Sequence, residues 1–400
     1  MILPSETASS STKPAEVRME VRRLRKVFAD DPRPALALLD SGASKAEVLR
    51  RLNVNVGVVD ASFDIRAGEI FVIMGLSGSG KSTMVRLLNR LIEPSGGDIR
   101  LDGRNLTRLP KRDLVEVLRR DMSMVFQSFA LLPNRSALEN AAFGLEVAGV
   151  DKATRRDAAL RALEQVGLGA YAARYPRELS GGMQQRVGLA RALAKNPTIM
   201  LMDEAFSALD PLIRTEMQNE LLRLQREQAR TIVFISHDAE EAMRIADRIA
   251  VMEDGRIVQI GTPAEILREP ADDYVRAFFR GVDSSRVLRA RDLARCDGTT
   301  VLLEDSDDRR PALRRLSELG AGYGYVRDPS GRFRGILSRD GADLLAVEPA
   351  AGDAPVHALL RRVATSPCPL PVVDGEGLFL GVVSRAALLE TLDRGGLGDG

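Results

Sequence analysis

Short runs of consecutive apolar residues alternate with longer amphipathic stretches over most of the chain. The runs EIFVIM (69–74), TIMLM (198–202) and TIVFIS (231–236) are too short for buried helices and are rich in Ile, Val and Phe. Such runs indicate strands that are buried on both faces, as in a parallel sheet covered by helices. We therefore predict an α/β domain with a largely parallel sheet for residues 17–281.

An early interruption of this pattern, DPRPALALLDSGASKAEVLRRLN, occupies residues 31–53. Ser44 and Glu47 form a capping-box pattern ahead of Val48, Leu49 and Leu52. The stretch predicts a helical insertion that packs against the edge of the domain. Residues 1–16 are polar and contain no basic segment followed by an apolar one, which favours a disordered lead over a signal peptide.

The last part of the chain contains a repeat. RDPSGRFRGILSR (327–339) and VDGEGLFLGVVSR (373–385) match at an offset of 46 residues, with Asp328 corresponding to Asp374 and Gly331 to Gly377. Each copy predicts a strand, an Asp/Gly turn, a second strand and a helix. Because one such unit cannot bury its own apolar face, we predict a second domain of two packed units in residues 282–400.

Composition excludes several classes of protein. The 57 basic and 56 acidic side chains nearly cancel, so the overall charge gives no indication of a nucleic-acid partner. No segment approaches the ~18 to 20 apolar residues that span a bilayer, so any link to a membrane would run through another protein. Cys296 and Cys368 lack metal-ligand spacing, and we expect free, buried thiols in a reducing compartment.

The sequence GLSGSGKST (75–83) follows the first apolar run and predicts a phosphate-binding loop between a strand and a helix. Its glycines allow backbone N–H groups to approach phosphate oxygens, and the helix that begins near Lys81 directs its positive end at them. Lys81 would neutralise the β- and γ-phosphates, and the Ser82 hydroxyl would bind Mg²⁺. The expected nucleotide contacts are Gly75, Ser77, Gly78, Ser79, Gly80, Lys81, Ser82 and Thr83.

Two acids end the second apolar run, in MDEAFSALD (202–210). Asp203, at the carboxyl end of a buried strand, could hold Mg²⁺, and Glu204 could polarise a water molecule that attacks the γ-phosphate. Adjacent acids are usually solvated, but acids that emerge from a buried strand beside a phosphate loop favour catalysis.

A further Ser/Gly turn, LSGGMQQRVGLARAL (179–193), leads into an amphipathic helix although the chain already has a complete phosphate loop. This stretch resembles the signature sequence of ATP-binding cassette (ABC) ATPases. The resemblance implies a head-to-tail homodimer in which the signature of one chain covers the ATP bound by the other. It would place Ser180, Gly181, Gly182 and Gln184 on the partner's nucleotide.

The same resemblance extends to the other motifs of the family. Gln127 in MVFQSFALLP is similar to the Q-loop residue that touches Mg²⁺ and relays the nucleotide state. SALD (207–210) resembles the D-loop, with Asp210 at the nucleotide interface. His237 after TIVFIS resembles the switch histidine on the γ-phosphate, and Phe28 resembles the aromatic residue that stacks on adenine. A core Phe and a structural His are the alternatives that the residues alone leave open.

Over its whole length the chain resembles the ATP-binding subunits of glycine betaine/proline (quaternary amine) importers, whose C-terminal repeat is a CBS pair. The resemblance implies a P-loop ABC ATPase domain, with a RecA-like core and antiparallel β and helical subdomains, followed by an α+β tandem CBS domain. It further implies ATP and Mg²⁺ as cofactors, an integral membrane permease contacted after Gln127 near Phe129, Leu131 and Leu132, an indirect substrate-binding protein, and a location on the cytoplasmic face of the plasma membrane. A nucleotide or ionic effector of the CBS pair is expected.

Three functions remain open from sequence. The chain could drive import of a quaternary amine or another small solute, act as a soluble ABC ATPase, or serve as a nucleotide sensor. A single phosphate loop with a single signature disfavours the soluble class, which usually carries two cassettes. Glu204 and His237 disfavour the sensor, since a sensor needs no hydrolytic base.

Overall fold

The computed structural model describes residues 16–126, 130–207, 209–296, 301–304, 309–340, 344–345 and 347–396. The chain forms two compact units, residues 1–262 and 263–400. The lead predicted for residues 1–16 lies outside the described residues except for Glu16, and the predicted Gln127 and Phe129 lie outside them as well.

The described part of the first unit contains a ten-stranded sheet with the order β5-β4-β1-β2-β10-β9-β3-β8-β7-β6. Its strands are β1 (Val17–Phe28), β2 (Asn55–Arg66), β3 (Ile70–Met74), β4 (Gly96–Leu101), β5 (Arg104–Asn105), β6 (Met122–Val125), β7 (Ile199–Asp203), β8 (Thr231–Ser236), β9 (Arg248–Glu253) and β10 (Arg256–Gly261). Its helices are α1 (Arg33–Asp40), α2 (Lys45–Leu52), α3 (Lys81–Leu88), α4 (Lys111–Asp121), α5 (Ala137–Val147), α6 (Lys152–Gln165), α7 (Gly181–Ala194), α8 (Pro211–Gln228) and α9 (Ala239–Ile245).

The three apolar runs form the centre of the sheet, as predicted. Strand β3 pairs in parallel with β8 and β9, and β7 pairs in parallel with β8 and β6. Every residue of β3, β7 and β8 is buried, because helices cover both faces of a parallel sheet. The carboxyl ends of β3, β8 and β7 therefore lie side by side at one edge of the sheet, where open α/β sheets bind ligands.

The antiparallel part of the sheet carries the insertion. Strand β1 pairs antiparallel with β2 and β4. The insertion consists of two helices, α1 and α2, which pack Leu39 and Val48 onto Val27 and Val56 of these strands. The Ser44 side chain accepts a hydrogen bond from Glu47 N (3.1 Å), so the predicted helix start is confirmed. The Glu47 carboxylate pairs with Arg51.

The second unit contains two small sheets, with the orders β11-β12-β13-β14 and β15-β16-β17 among the described residues. The strands are β11 (Val301–Glu304), β12 (Tyr323–Arg327), β13 (Phe333–Ser338), β14 (Leu344–Leu345), β15 (Ala350–Ala351), β16 (Leu370–Val373) and β17 (Phe379–Val383). The helices are α10 (Pro263–Arg268), α11 (Asp273–Phe278), α12 (Ser284–Val287), α13 (Ala290–Leu293), α14 (Arg310–Glu318), α15 (Val356–Thr365) and α16 (Arg385–Gly396).

The sequence repeat corresponds to a structural repeat. Strand pairs β12/β13 and β16/β17 are both antiparallel. Two hydrogen bonds connect the turn of one pair to the turn of the other: Phe333 N donates to Gly377 O and Phe379 N donates to Gly331 O, both at 3.1 Å. In the second copy a helix, α16, follows the strands as predicted. In the first copy the described residues after β13 include β14, which pairs back onto β13, so the helix predicted there is wrong at Leu344–Leu345.

Two further expectations differ from the structure. The compact units divide after Thr262, ahead of the boundary predicted after 281, because Ala264 and Leu267 pack on the core of the second unit. Cys368 is buried, as expected, whereas Cys296 lies at the surface, so the prediction of burial was wrong for Cys296.

Candidate functional site

The phosphate loop connects β3 to α3, as predicted. Gly75 and Gly80 have φ of 153° and 106°, which side chains rarely adopt. A Cβ at Gly80 would collide with the carbonyl oxygen of Gly57 on β2, and one at Gly75 would collide with the carbonyl of Met252 on β9. Glycine is required at both positions, because the loop is held against two neighbouring strands.

Lys81 is buried at the first turn of α3. Its Nζ donates hydrogen bonds to Gly75 O (2.8 Å) and Leu76 O (2.9 Å). Burial lowers the pKa of Lys81, and the carboxylates of Glu204 and Asp203 act against that shift. The amine is thus held inside the loop, close to the acids at the end of β7, Asp203 and Glu204.

Ser82 and Asp203 meet at the base of the loop. Ser82 Oγ donates to Asp203 Oδ1 at 3.2 Å, which joins α3 to the end of β7. Burial raises the pKa of Asp203, and the hydrogen bond from Ser82 opposes that shift. A hydroxyl and a carboxylate side by side are oxygen donors of the kind that Mg²⁺ prefers, so these two residues fit the metal predicted for them.

Glu204 and His237 face each other across the same cleft. His237 Nδ1 lies 3.4 Å from Glu204 Oε2, and both residues line a cleft of about 580 Å³ with Gly57, Leu76, Ser77, Gly78, Gly80, Lys81, Ser82 and Thr83. Glu204 has φ of 46°, an unusual value for a residue other than glycine. Such backbone conformations cost about 1–3 kcal/mol and cluster at functional sites.

A buried polar network that the sequence did not reveal supports the turn that carries His237. Ser236 Oγ donates to the Glu241 carboxylate and accepts from Asp238 N (3.0 Å), and Gln218 Nε2 donates to Glu241 Oε1 (3.0 Å). Burial raises the pKa of Glu241, and its hydrogen bonds oppose that shift. Gln218 comes from α8, so only the tertiary structure brings the network together.

Phe28 is 47% exposed and lies beside Gly57, which lines the cleft. A Cβ at Gly57 would lie 2.9 Å from Phe28 Cε2 and 2.8 Å from Thr83 Cγ2, so the ring stands beside the phosphate loop. Lys26 Nζ lies 5.1 Å from the ring centroid. This position fits the predicted stacking on adenine, which stays a prediction. Gly57 was missed, although a glycine within a strand signals close approach by other groups.

The signature residues lie on α7. Ser180 is its N-cap and accepts from Met183 N (3.3 Å), while Gln184 Nε2 donates to the carbonyls of Pro176 (3.0 Å) and Leu179 (3.1 Å). Among the described residues, the lining of the 580 Å³ cleft includes none of Ser180, Gly181, Gly182 and Gln184. The signature is therefore separate from the phosphate loop of its own chain. Asp210 caps α8 by accepting from Ile213 N (3.0 Å).

A buried amide holds the described segment that begins at residue 130, shortly after Gln127. Asn140 Nδ2 donates to the carbonyls of Leu132, Arg135 and Ser136 at 3.0–3.1 Å, and Asn140 Oδ1 accepts from Leu132 N at 2.7 Å. Leu131 and Leu132 are half-buried.

Within the described part of the chain, no helix is both long and apolar enough to cross a bilayer.

Comparisons with known proteins agree with this site. The sequence model of the ABC transporter family matches residues 58–207. The glycine betaine/proline betaine transport system ATP-binding protein ProV of Escherichia coli K12 is 52% identical over 398 residues, which cover 96% of this chain and all of that protein. The glycine betaine/carnitine transport ATP-binding protein GbuA of Listeria monocytogenes is 45% identical over 389 residues, covering 94% of this chain and 97% of that protein.

Solved structures give the same result for the first unit. The dimeric structure of MJ0796, a bacterial ABC transporter cassette, has a TM-score of 0.52 and 30% identity, and the match covers 61% of this chain and 98% of that one. A post-hydrolysis dimer of the same cassette, bound to ADP and Pi, also matches with a TM-score of 0.52. With relatives this similar over nearly its whole length, the chain belongs to the ATP-binding subunits of the ABC transporter family.

Proposed function

We propose that this protein is the ATP-hydrolysing motor of an importer for glycine betaine or a related quaternary amine. The observation that carries the proposal is the meeting of Lys81, Glu204 and His237 around one cleft at the carboxyl ends of β3, β7 and β8. Asp203 is bonded to Ser82, which also lines this cleft. The solute is inferred from relatives whose names specify glycine betaine, proline betaine or carnitine transport.

The chemistry follows from the positions of these side chains. Lys81 would turn from the loop carbonyls to the β- and γ-phosphates when nucleotide enters. Ser82 and Asp203, with Gln127, would hold Mg²⁺, which when bound neutralises phosphate charge. Glu204 would orient and deprotonate the attacking water, and His237 would contact the γ-phosphate beside it. Phe28 would stack on the adenine.

We infer that two chains complete each site. The signature residues are separate from the cleft of their own chain, and the matching cassette was solved as a dimer. Ser180, Gly181, Gly182 and Gln184 of one chain would cover the nucleotide of its partner, with Asp210 at the same interface. ATP would then close the dimer, hydrolysis would reopen it, and an integral membrane permease at the cytoplasmic face would follow the motion.

The permease would dock on the segment after Gln127. Leu131 and Leu132 lie four and five residues after Gln127, and the amide of Asn140 fixes the backbone at Leu132. A segment held in this way can transmit a displacement of the nucleotide site to a neighbour. A substrate-binding protein would deliver the solute to the permease and would not touch this chain.

The second unit would act as a regulatory CBS pair. This unit contains a cavity of about 310 Å³, which polar side chains line at Arg295, Tyr323, Ser384 and Glu390. A nucleotide or ionic effector at this unit would bias the motor between its open and closed states by its differential affinity, typically ~1–3 kcal/mol.

Uptake of labelled glycine betaine tests the proposal. Cells that lack other betaine uptake would carry this chain with its own permease and binding protein, and matched cells would carry Glu204→Gln. We expect ATP-dependent accumulation that the substitution abolishes. Accumulation of a different solute, such as a polyamine, would retain the motor and replace the substrate, whereas equal uptake with Glu204→Gln would overturn the catalytic assignment.

A further inference from the structure

The insertion makes one polar contact with the phosphate loop that no role assigned above uses. Lys45, the first residue of α2, extends its Nζ to 3.4 Å from the carbonyl oxygen of Gly78, at the tip of the loop. We propose that Lys45 is a positioning residue for the phosphate loop, supplied by the insertion, and that it strengthens the binding of the nucleotide's polyphosphate. This inference rests on the proposed ATPase function.

The insertion is anchored firmly enough to hold a side chain in place. Val48 of α2 is fully buried in an apolar cluster with Val27 and Val56 of the sheet. Arg25 Nη1 of β1 bonds to Asp40 Oδ1 at 2.7 Å, which ties the end of α1 to the same strand. Lys45, which is itself half-buried, therefore extends from a packed element.

The tip of the loop offers few other supports. Gly78 has φ of 82°, and among the described residues no atom beyond its chain neighbours lies within 4 Å of the point where its Cβ would be. The turn beside it closes through a bond from Ser79 N to Leu76 O at 3.2 Å, and Gly255 N donates to Ser79 O at 2.9 Å, but neither bond reaches the Gly78 carbonyl. A bond from an ammonium group is stronger than a neutral one, so Lys45 can fix the Gly78 carbonyl outward while the adjoining N–H groups face the cleft.

The charge of Lys45 acts in the same direction. Lys81 already donates to the carbonyls of Gly75 and Leu76. Lys45 brings a second ammonium group to the same loop, from a different part of the chain. Both charges favour the binding of a polyphosphate anion. Because Lys45 contacts the loop and not Glu204 or His237, we expect it to affect nucleotide binding rather than the chemical step.

Binding of MgATP by the full-length protein tests this inference. Lys45→Met keeps most of the stem and removes the charge, and we expect its Kd and its ATPase KM to rise about tenfold. The kcat at saturating ATP should stay within twofold, and Lys45→Arg should recover most of the affinity. Arg50→Met, on the exposed face of the same helix, is the matched control and should bind as the wild type does.

Melting temperature separates positioning from a merely structural role. Lys45→Met should leave the melting temperature of the nucleotide-free protein unchanged and reduce the rise produced by MgATP. Unchanged Kd and KM in Lys45→Met would overturn the inference, as would an equal loss of affinity in Arg50→Met. If the wild-type protein itself fails to bind MgATP, the proposed function fails first, and the two failures are thereby distinguishable.

Discussion

Replacing Gly80 with alanine tests how closely the sheet confines the phosphate loop. The new Cβ would overlap the carbonyl oxygen of Gly57 and lie 2.9 Å from Met252 Cε. The methionine side chain can move, whereas the Gly57 carbonyl belongs to β2 and is fixed by strand pairing. The loop itself must therefore shift away from β2. Gly78→Ala is the matched control, because the space around Gly78 is open although its φ is also positive.

The expected magnitudes differ between the two positions. A non-glycine residue at positive φ costs roughly 1–2 kcal/mol, and this applies to both substitutions. Overpacking against a fixed group adds about 1–3 kcal/mol at Gly80 only. A displacement of about 1 Å in a site that positions reacting groups lowers the rate by about a hundredfold. Gly80→Ala should thus lose about 2–5 kcal/mol of stability and about a hundredfold in ATPase activity.

Urea unfolding and a coupled ATPase assay on the purified variants measure both effects. Gly78→Ala should lose about 1–2 kcal/mol and less than tenfold in activity. Equal stability and equal activity in the two variants would refute the reasoning, since backbone strain alone, without the Gly57 carbonyl, would then explain both.

Three further predictions follow from buried groups and from the division of the chain. Burial raises the pKa of Glu241 in the folded state, so that state binds more protons than the unfolded chain above about pH 4, and its stability falls as pH rises through the folded pKa. Glu241→Gln removes this titration, so it should raise the melting temperature at pH 7 and lose the advantage near pH 4. A constant difference in melting temperature across that range would contradict the prediction. Asn140→Ala should lower the free energy of unfolding in urea by about 2–4 kcal/mol, because it leaves the Leu132 backbone groups unpaired. It should also reduce permease-stimulated ATPase activity more than basal activity. A loss of stability below about 1 kcal/mol would count against the role given to Asn140. A chain ending at Thr262 should hydrolyse ATP and should aggregate less than a chain ending at residue 281. In the longer chain Ala264 and Leu267 would lack their apolar partners in the second unit. Light scattering that shows more aggregation of the shorter chain would argue against the boundary.

The central strands and the phosphate loop could be predicted because their signals are local. A fully apolar run such as IFVIM of β3 can be buried only inside the sheet, and the glycines that follow it specify the turn by themselves. Asp203 and Glu204 were recognisable for the same reason, since acids at the end of a buried strand must lie at its carboxyl edge.

The contacts that depend on tertiary structure could not be predicted. Gly57 lines the cleft because β2 is placed next to β10 and within reach of α3. The glycine within the strand signals a close approach, but it does not specify which elements come together. Lys45 reads locally as an ordinary surface lysine of a capped helix. The bond between Gln218 and Glu241 joins α8 to α9, and the boundary at Thr262 depends on where α10 packs Ala264 and Leu267.

In the proposed ATP-bound state two chains enclose ATP, and each supplies a signature to the other's phosphate loop. Light scattering of purified Glu204→Gln with saturating MgATP tests this most directly, because the amide keeps the shape of the site while the base that ends the ATP state is lost. We predict a particle of twice the monomer mass with MgATP and a monomer with MgADP. A Glu204→Gln protein that binds MgATP and remains monomeric would contradict the claim.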